Sequence, residues 1–291
     1  MKKEIQDEFN KAEKEIGIDK FDKHHTTVFD KPCLDFVKTI VINLPESCYA
    51  NCSYCIDKEI RKHAIDVKTF LETCRKTFDE FPDIKEISIT GGSLKAKDFN
   101  TLLDMINKKY PNITITWNTN AINIDEQYNI DSIKWINLHR NSVDEKKNAE
   151  MFCSNYEPIS IESAKQLFGN KLCLRITIDE KFNLDEYVKL GIPLYLNQML
   201  PGNEQTTAKY METLNNLHLQ DCDYRRRNVY LNTIYNGITI RVCVGDKMAS
   251  HVPGRYPIYL NVAIIHRSGI VCGSWYEDDK TLYIPNENEI I

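Results

Sequence analysis

Two hydrophobic periods alternate along the chain between residues 37 and 219. Short runs rich in Val and Ile predict strands buried on both faces, and apolar residues spaced three or four apart predict amphipathic helices. Six runs of the first kind are the predicted strands 37–43, 84–90, 113–118, 132–138, 172–178 and 192–197. Because helices separate them, we expect the strands to pair in parallel through right-handed crossovers. The count is two strand–helix units short of an eightfold barrel.

Capping residues mark several of the helix boundaries. Asp66, Ser160 and Asn183 each precede a helical pattern and are predicted N-caps. Gly191 is predicted to end the helix that Asn183 begins. The sequence therefore predicts where these helices begin and, at Gly191, where one of them ends.

Two more helices follow from apolar faces alone. Residues 99–110 and 210–217 each present one apolar face, with Met211 predicted to turn inward. We assign no element to the polar stretch 140–150. The charged residues 1–36 are interpreted as an N-terminal extension.

After about residue 220 the pattern changes from helical to alternating. Asn236-Gly237 lies between two alternating apolar runs, which is a strong signal for a hairpin. A second antiparallel pair is predicted at 257–266 and 270–275. The predicted organisation is an extension at 1–36, a strand–helix domain at 37–219 and a β-hairpin cap at 220–291.

Composition limits the functional classes. The 291 residues are 42% hydrophobic and 27% charged, which is ordinary for a globular protein. The net charge of −5 argues against a nucleic-acid surface, which needs a concentrated positive field. We find no signal-peptide core or run of transmembrane length, so we expect a cytoplasmic protein without a membrane partner.

Three of the ten cysteines carry the chemistry. Cys48, Cys52 and Cys55 form a C-x3-C-x2-C pattern directly after the first predicted strand. A structural zinc ion takes four ligands and a four-iron cubane takes four thiolates. Three thiolates on one short loop suit a cluster with one iron left open. A zinc site with a fourth ligand from elsewhere, such as His63, remains an alternative.

This spacing resembles the radical S-adenosylmethionine (radical SAM) superfamily, in which Tyr54 also has a counterpart as an aromatic before the third cysteine. The resemblance implies a 4Fe–4S cluster on Cys48, Cys52 and Cys55, with the amine and carboxylate of S-adenosylmethionine on the open iron. It implies an α/β fold, namely a partial (β/α)6 TIM-like barrel, here followed by the small C-terminal antiparallel β-rich unit.

The second predicted strand ends at Gly91-Gly92-Ser93, where the family has a Gly-Gly-Glu stretch that contacts the methionine amine. Glycines allow main chain to approach a ligand closely and leave its carbonyls available. Gly91, Gly92 and Ser93 are therefore candidate cofactor contacts, and Ser93, which stands where the family has glutamate, leaves the backbone contribution intact. An ordinary strand-to-helix turn would also explain two glycines.

Polar residues end the later predicted strands, where barrel enzymes assemble their sites. By resemblance, Asn118 and Asn120 are candidate contacts to the ribose or carboxylate of the cofactor, and Arg175 to its methionine carboxylate. His139 and Asn197 are further candidates. A structural hydrogen bond would explain His139 equally, and a structural carboxylate would explain Arg175.

Three cysteines lie in the C-terminal region. Cys222, Cys243 and Cys272 are a possible ligand set for an auxiliary iron–sulfur cluster like those of several relatives. Their wide spacing disfavours this cluster and favours packing roles. Cys272 is kept as a candidate catalytic residue, because a thiol hydrogen is readily abstracted.

The resemblance implies reductive cleavage of S-adenosylmethionine to a 5′-deoxyadenosyl radical, which takes hydrogen from a substrate. A flavodoxin- or ferredoxin-type reductant is the implied partner. We favour a nucleotide- or sugar-like small molecule as substrate. The alternatives are maturation of a ribosomally made peptide and, from another class, a non-catalytic zinc or iron–sulfur regulatory protein.

Overall fold

The computed structural model describes residues 37–52, 55, 64–125, 127–199, 203–219, 229–244, 262–272 and 281–283. For 229–231, 243–244 and 281–283 the description is limited to the backbone. The described strands are β1 (Thr39–Leu44), β2 (Glu86–Gly91), β3 (Thr114–Thr119), β4 (Trp135–His139), β5 (Leu172–Ile178), β6 (Leu194–Gln198), β7 (Val229–Tyr235), β8 (Ile238–Val244), β9 (Val262–Ile265), β10 (Val271–Cys272) and β11 (Thr281–Tyr283).

Helices connect the strands of the first part of the chain. The described α-helices are α1 (Val67–Glu80), α2 (Ala96–Lys109), α3 (Glu145–Phe152), α4 (Ile161–Phe168), α5 (Leu184–Val188) and α6 (Glu204–Asn216). None of these described helices combines the length and the apolar character that crossing a bilayer requires.

One mixed sheet carries the fold, in the order β11-β10-β9-β1-β2-β3-β4-β5-β6-β8-β7 across the described strands. Strands β1 to β6 are consecutive neighbours, and each adjacent pair is parallel. The predicted α/β fold with six parallel strands is therefore confirmed. The strand limits differ from the predicted ones by no more than a few residues, because periodicity marks the buried part of a strand better than its ends.

The C-terminal strands extend this same sheet at both of its edges. Strand β8 pairs in parallel with β6, and β7 pairs with β8 across the predicted Asn236-Gly237 turn. Strand β9 pairs in parallel with β1, and β10 and β11 follow it in antiparallel order. Both predicted hairpins form, but they lie at opposite edges of the sheet. A strand edge offers unpaired N–H and C=O groups, and either edge can accept a hairpin.

The two faces of the sheet differ in chemistry. One face of β1 to β6, β8 and β9 joins the helices in a single apolar core, which includes Ile87 and Ile89 with Phe99 and Leu102. We call the opposite face, which points away from the helices, the inner face. Its residues on these strands include Val41, Asn43, Ser88, Thr90, Thr116, Asn118, Asn137, His139, Cys173, Arg175, Thr177, Tyr195, Asn197, Arg241 and Ile264. The inner face is therefore predominantly polar.

The predicted caps are confirmed by hydrogen bonds. The Asp66 carboxylate accepts from the Thr69 N–H at 3.0 Å, and the Ser160 hydroxyl accepts from the Ser163 N–H at 3.0 Å. Asn183 caps α5 in the same way, through its side-chain oxygen. Each cap satisfies a backbone donor that the first helical turn cannot satisfy by itself.

Two details of the helices differ from the prediction. Helix α3 overlaps the stretch 140–150, to which no element was assigned. Asp144 caps it, and its buried residues are Asn148 and Phe152. The prediction missed this helix because these two residues do not form an apolar stripe. Met211 is 37% exposed instead of inward, while Tyr210 and Leu214 on the same helix are buried.

Tyr110 ends α2 against the C-terminus of α1. Its hydroxyl oxygen lies 2.9 Å from the Phe78 carbonyl oxygen and 2.6 Å from the Phe81 carbonyl oxygen, and its one O–H donates to this pair of acceptors. Burial raises the pKa of Tyr110, so the hydroxyl keeps its proton at physiological pH. The side chain thus satisfies carbonyls that α1 leaves open at its end.

The substitution Tyr110→Phe should lower the free energy of unfolding by about 1–3 kcal/mol, because buried carbonyls lose their donor. Chemical denaturation measures the change. Tyr156 is 56% exposed, so Tyr156→Phe is the matched control and should leave stability unchanged. Equal stability of the two variants would contradict the capping role of Tyr110.

Candidate functional site

The cysteine loop follows β1 at the carboxyl end of the sheet. Cys48, Cys52 and Cys55 are partly exposed, whereas Cys74 and Cys272 are fully buried. Burial raises the pKa of the Cys74 thiol, so this group is an inert packing residue. The structure therefore separates three accessible thiols on one loop from thiols in the core.

The sulfur of Cys48 lies among N–H donors. The Ala50 backbone N–H lies 3.4 Å from Cys48 Sγ, and Asn120 Nδ2 lies 3.5 Å from it. The Asn120 side chain is oriented by its oxygen, which accepts from the Ile122 N–H at 3.1 Å. Donors of this kind stabilise a thiolate and tune the potential of a cluster that it binds. In the structure Asn120 thus contacts a cysteine of the loop.

Helix α3 packs against the cysteine loop. Ala50, Ile122 and Phe152 form a small buried cluster against which Cys48 and Cys52 pack. The Asn51 N–H donates to the Phe152 carbonyl at 2.6 Å, at the end of the helix that the sequence did not predict. The orientation of the loop therefore depends on an element distant in sequence.

The Gly91-Gly92-Ser93 turn contacts the cysteine loop directly. Glu46 and Ser93 exchange two backbone hydrogen bonds of 3.2 and 3.0 Å. The Ser93 hydroxyl donates to the Ser47 carbonyl at 2.9 Å. The serine that replaces the family glutamate thus fixes one loop to the other.

The glycines are required by this close approach. A Cβ atom on Gly92 would lie 1.9 Å from the Glu46 carbonyl oxygen, which no side chain can tolerate. Gly91 has a φ of +82°, and a Cβ there would lie 2.9 Å from Asn43 Oδ1. Contact between the two loops explains Gly92, and the positive φ beside Asn43 of β1 explains Gly91. Both are compatible with a backbone contact to a ligand at the same turn.

Asn118 is the centre of a hydrogen-bond network across four strands of the inner face. Its side-chain oxygen accepts from Asn137 Nδ2 at 3.0 Å and from Arg175 Nη1 at 2.9 Å. Its amide nitrogen donates to the Ser88 hydroxyl at 3.0 Å. The predicted residues Asn118 and Arg175 are therefore brought together, and Asn137 and Ser88 were not predicted.

His139 is a neutral group in this environment. Burial, together with the positive charges of Arg175 and Arg140, lowers its pKa to about 3. His139 and Arg175 are direct neighbours in the β4–β5 register. The imidazole can therefore exchange hydrogen bonds at physiological pH without carrying charge.

Arg140 fixes the loops that follow β3 and β4. Its side chain is 0% exposed, and Nε pairs with the Glu145 carboxylate at 3.0 Å. Its remaining nitrogens donate to the carbonyls of Asn120 at 2.8 Å and of Ile159 at 2.6 Å. An ion pair whose buried guanidinium also donates to carbonyls fixes the local geometry, and here it fixes the residue that contacts Cys48.

Strand β8 adds a residue that the sequence analysis missed. Arg175 and Arg241 both lie over the ring of Tyr195, at 5.2 and 5.7 Å from its centroid. The predicted residue Asn197 is buried on the same face of β6, beside Thr177 in the register. The alternating pattern along 238–244 predicts a strand that contains Arg241. It does not predict that this strand pairs with β6, which brings Arg241 to Tyr195.

Asn43 on β1 and Cys272 on β10 are two further buried residues near the inner face. Asn43 is 1% exposed at the end of β1, and its Oδ1 has no hydrogen-bond partner among the described residues. Cys272 is fully buried beside β9, with its sulfur 3.1 Å from His266 Nε2. The register therefore places Cys272 on β10, at the opposite side of β1 from β2.

A small cavity joins several predicted site residues. Cys48, Gly92, Ser93 and Asn120 share its wall with apolar and aromatic side chains, among them Trp117. The cavity adjoins the cysteine loop, so three segments that are distant in sequence meet at one opening.

Some predicted residues lie outside the described part of the chain. These are Tyr54, His63 and Cys222, together with the side chain of Cys243. Their proposed roles as an aromatic contact, a zinc ligand and auxiliary cluster ligands therefore stay predictions.

The chemistry of the loop fits an iron–sulfur cluster with three protein ligands. The three thiols are accessible, and N–H donors surround Cys48 Sγ. Among the described residues no three His, Cys, Asp or Glu side chains already stand at metal-binding separations. Ligand side chains commonly take their final positions when the metal binds.

No protein-family model matches the chain. No curated protein matches it by sequence either. Solved structures do match. Streptococcus suis SuiB bound to the precursor peptide SuiA superposes with a TM-score of 0.56 at 15% identity, over 96% of this chain and 75% of SuiB. The enzyme anSMEcpe with bound AdoMet and a Cp18Cys peptide gives 0.53 at 14% identity, over 87% of this chain and 79% of that one.

These two proteins are radical SAM enzymes, and at such low identity the likeness concerns the fold. The cysteine spacing is independent of that likeness, because it is read from the residues themselves. The spacing and its place after the first strand are those by which the superfamily is recognised. The chain therefore shares the fold of these two enzymes, and its cysteine spacing independently resembles that of the radical S-adenosylmethionine superfamily.

Proposed function

We propose that this protein cleaves S-adenosylmethionine reductively and uses the resulting radical on a substrate bound at the inner face. The observation that supports this most directly is the arrangement after β1. Three accessible thiols lie on a loop that two backbone hydrogen bonds join to Gly91-Gly92-Ser93. The thiols are soft metal ligands, and the glycine turn lines the same cavity as Cys48.

Cys48, Cys52 and Cys55 would hold the cluster, and the cluster with its bound cofactor would supply an electron and a carbon-centred radical. The chain's own residues contribute position and environment. Asn120 and the Ala50 N–H donate towards Cys48, and the Asn118 network holds Arg175 in one orientation. This part of the inner face is pre-organised, because Asn118 fixes the side chains of Asn137 and Arg175 before any ligand binds.

We propose a small molecule as substrate and a flavodoxin- or ferredoxin-type protein as reductant. A peptide is the second candidate. The observation in its favour is that SuiB and anSMEcpe, which share the fold, were both solved with a peptide bound. Trapping 5′-deoxyadenosine that carries deuterium from a labelled substrate would distinguish the two classes.

Anaerobically purified protein should contain about four irons per chain and should release 5′-deoxyadenosine when it is reduced with S-adenosylmethionine. Replacing Cys48, Cys52 or Cys55 individually by Ala should abolish both, because three thiolates are the minimum set for the cluster. Iron analysis and chromatography of the nucleoside provide the measurement.

The matched control is Cys153→Ala, since Cys153 is an exposed thiol outside the loop. It should retain full iron content. Colourless protein with about one zinc per chain would instead support the regulatory alternative. About eight irons would support an auxiliary cluster.

Asn120→Asp should make the cluster harder to reduce. The substitution keeps the oxygen that accepts from Ile122 but removes the donor to Cys48 Sγ and adds negative charge. Loss of one hydrogen bond of about 1 kcal/mol corresponds to roughly 40 mV for a one-electron couple. A redox titration followed by electron paramagnetic resonance measures the shift.

Asn123→Asp is the control for charge alone. Asn123 lies on the same loop, and its amide donates to the Tyr49 hydroxyl at 3.0 Å instead of to a cysteine. A shift as large in this variant as in Asn120→Asp would show that the hydrogen bond to Cys48 has no special effect.

A further inference from the structure

We propose that Arg241, with Tyr195 and Arg175, forms a binding site on the inner face for an anionic group of the substrate, either a carboxylate or a phosphate. This inference rests on the proposed function, because it assigns the anion to the substrate of that same enzyme. It concerns residues on β5, β6 and β8, away from the cysteine loop after β1.

The register places these side chains in one row. Arg175 is the partner of Tyr195 in the β5–β6 pair, and Tyr195 is the partner of Arg241 in the β6–β8 pair. Neighbouring strands lie about 4.8 Å apart, so side chains at partnered positions are adjacent. Both guanidinium groups lie over the one ring, at 5.2 and 5.7 Å from its centroid.

Among the described strand residues that face inward here, the charge has a single sign. At the inward positions of β3 to β6 and β8, every charged residue in the described strands is an arginine. Two like charges beside one ring repel each other, and the effect is larger where water is partly excluded. A bound anion would turn this repulsion into attraction.

Two neighbouring groups respond to the positive field. Burial raises the pKa of Cys173 to about 12, while Arg241 and Arg175 both act to lower it. Arg175 also contributes to the lowered pKa of His139. The fields of the two arginines therefore overlap on the inner face.

The chemistry of the row suits a carboxylate or a phosphate. Arginine presents a planar fork that donates two parallel hydrogen bonds to such groups. Asn118 accepts a hydrogen bond from Arg175 at 2.9 Å, and both guanidinium groups lie over the Tyr195 ring. Both arginines remain partly exposed, so a ligand can reach them.

The location favours the substrate over the cofactor. Strand β8 follows β6, at the end of the β1–β6 series that is farthest from the cysteine loop in sheet order. Arg241 also lies on the C-terminal hairpin, which follows the six parallel strands in the chain and pairs with β6.

The test measures binding of inorganic phosphate and of succinate by calorimetry at constant ionic strength, with and without saturating S-adenosylmethionine. Wild-type protein should bind at least one of these probes, and Arg241→Gln should weaken that binding at least tenfold. Arg241→Lys keeps the charge without the fork and should fall between them. A preference for phosphate or for succinate identifies which anion the substrate carries.

Arg75→Gln is the matched control, because Arg75 is an exposed helix residue paired with Glu72 and Asp79. It should bind the probes as the wild type does. Near-ultraviolet circular dichroism verifies that each variant is folded, and Arg241→Lys decides the question if Arg241→Gln does not fold.

Three outcomes are decisive. Equal probe binding by wild type and the Arg241 variants would overturn the anion site. Complete loss of probe binding when S-adenosylmethionine is present would overturn its assignment to the substrate. Arg241-dependent binding in wild-type protein that releases no 5′-deoxyadenosine would contradict the proposed function and leave the anion site standing.

Discussion

The close contact between the cysteine loop and the Gly91-Gly92 turn is the constraint on which the site depends. Gly92 leaves no room for a side chain against the Glu46 carbonyl, and Ser93 binds the loop through both main chain and hydroxyl. Because the two segments lie at the ends of neighbouring parallel strands, their contact fixes where the thiols stand relative to the sheet. The two glycines are thus required by the protein backbone itself, whether or not a ligand binds at this turn.

A second layer of support comes from buried polar groups. Arg140 and Glu145 hold the loops after β3 and β4, and through the Asn120 carbonyl they orient the amide that faces Cys48. Asn118 does the same for Arg175 within the sheet. These side chains take partners from other strands and loops, and those contacts fix the orientation of Asn118, Arg140 and Arg175.

The sequence predicted much of the frame. The six parallel strands, the caps Asp66, Ser160 and Asn183, and the Asn236-Gly237 turn all follow from period and local chemistry. The contacts of Asn120 and Ser93 did not follow, because a residue's partner depends on which loop lies opposite. Helix α3 was missed since its buried side is made by Asn148 and Phe152 rather than by a regular apolar stripe.

The sequence by itself determined the order of strands and helices and the three-thiol loop after β1, because these depend on neighbours in the chain. Only the tertiary structure decided that the hairpins join opposite edges of the sheet and that Arg241 stands beside Tyr195 and Arg175. Strand pairing between distant segments is set by which edges remain open once the sheet has formed, and no local pattern encodes that choice.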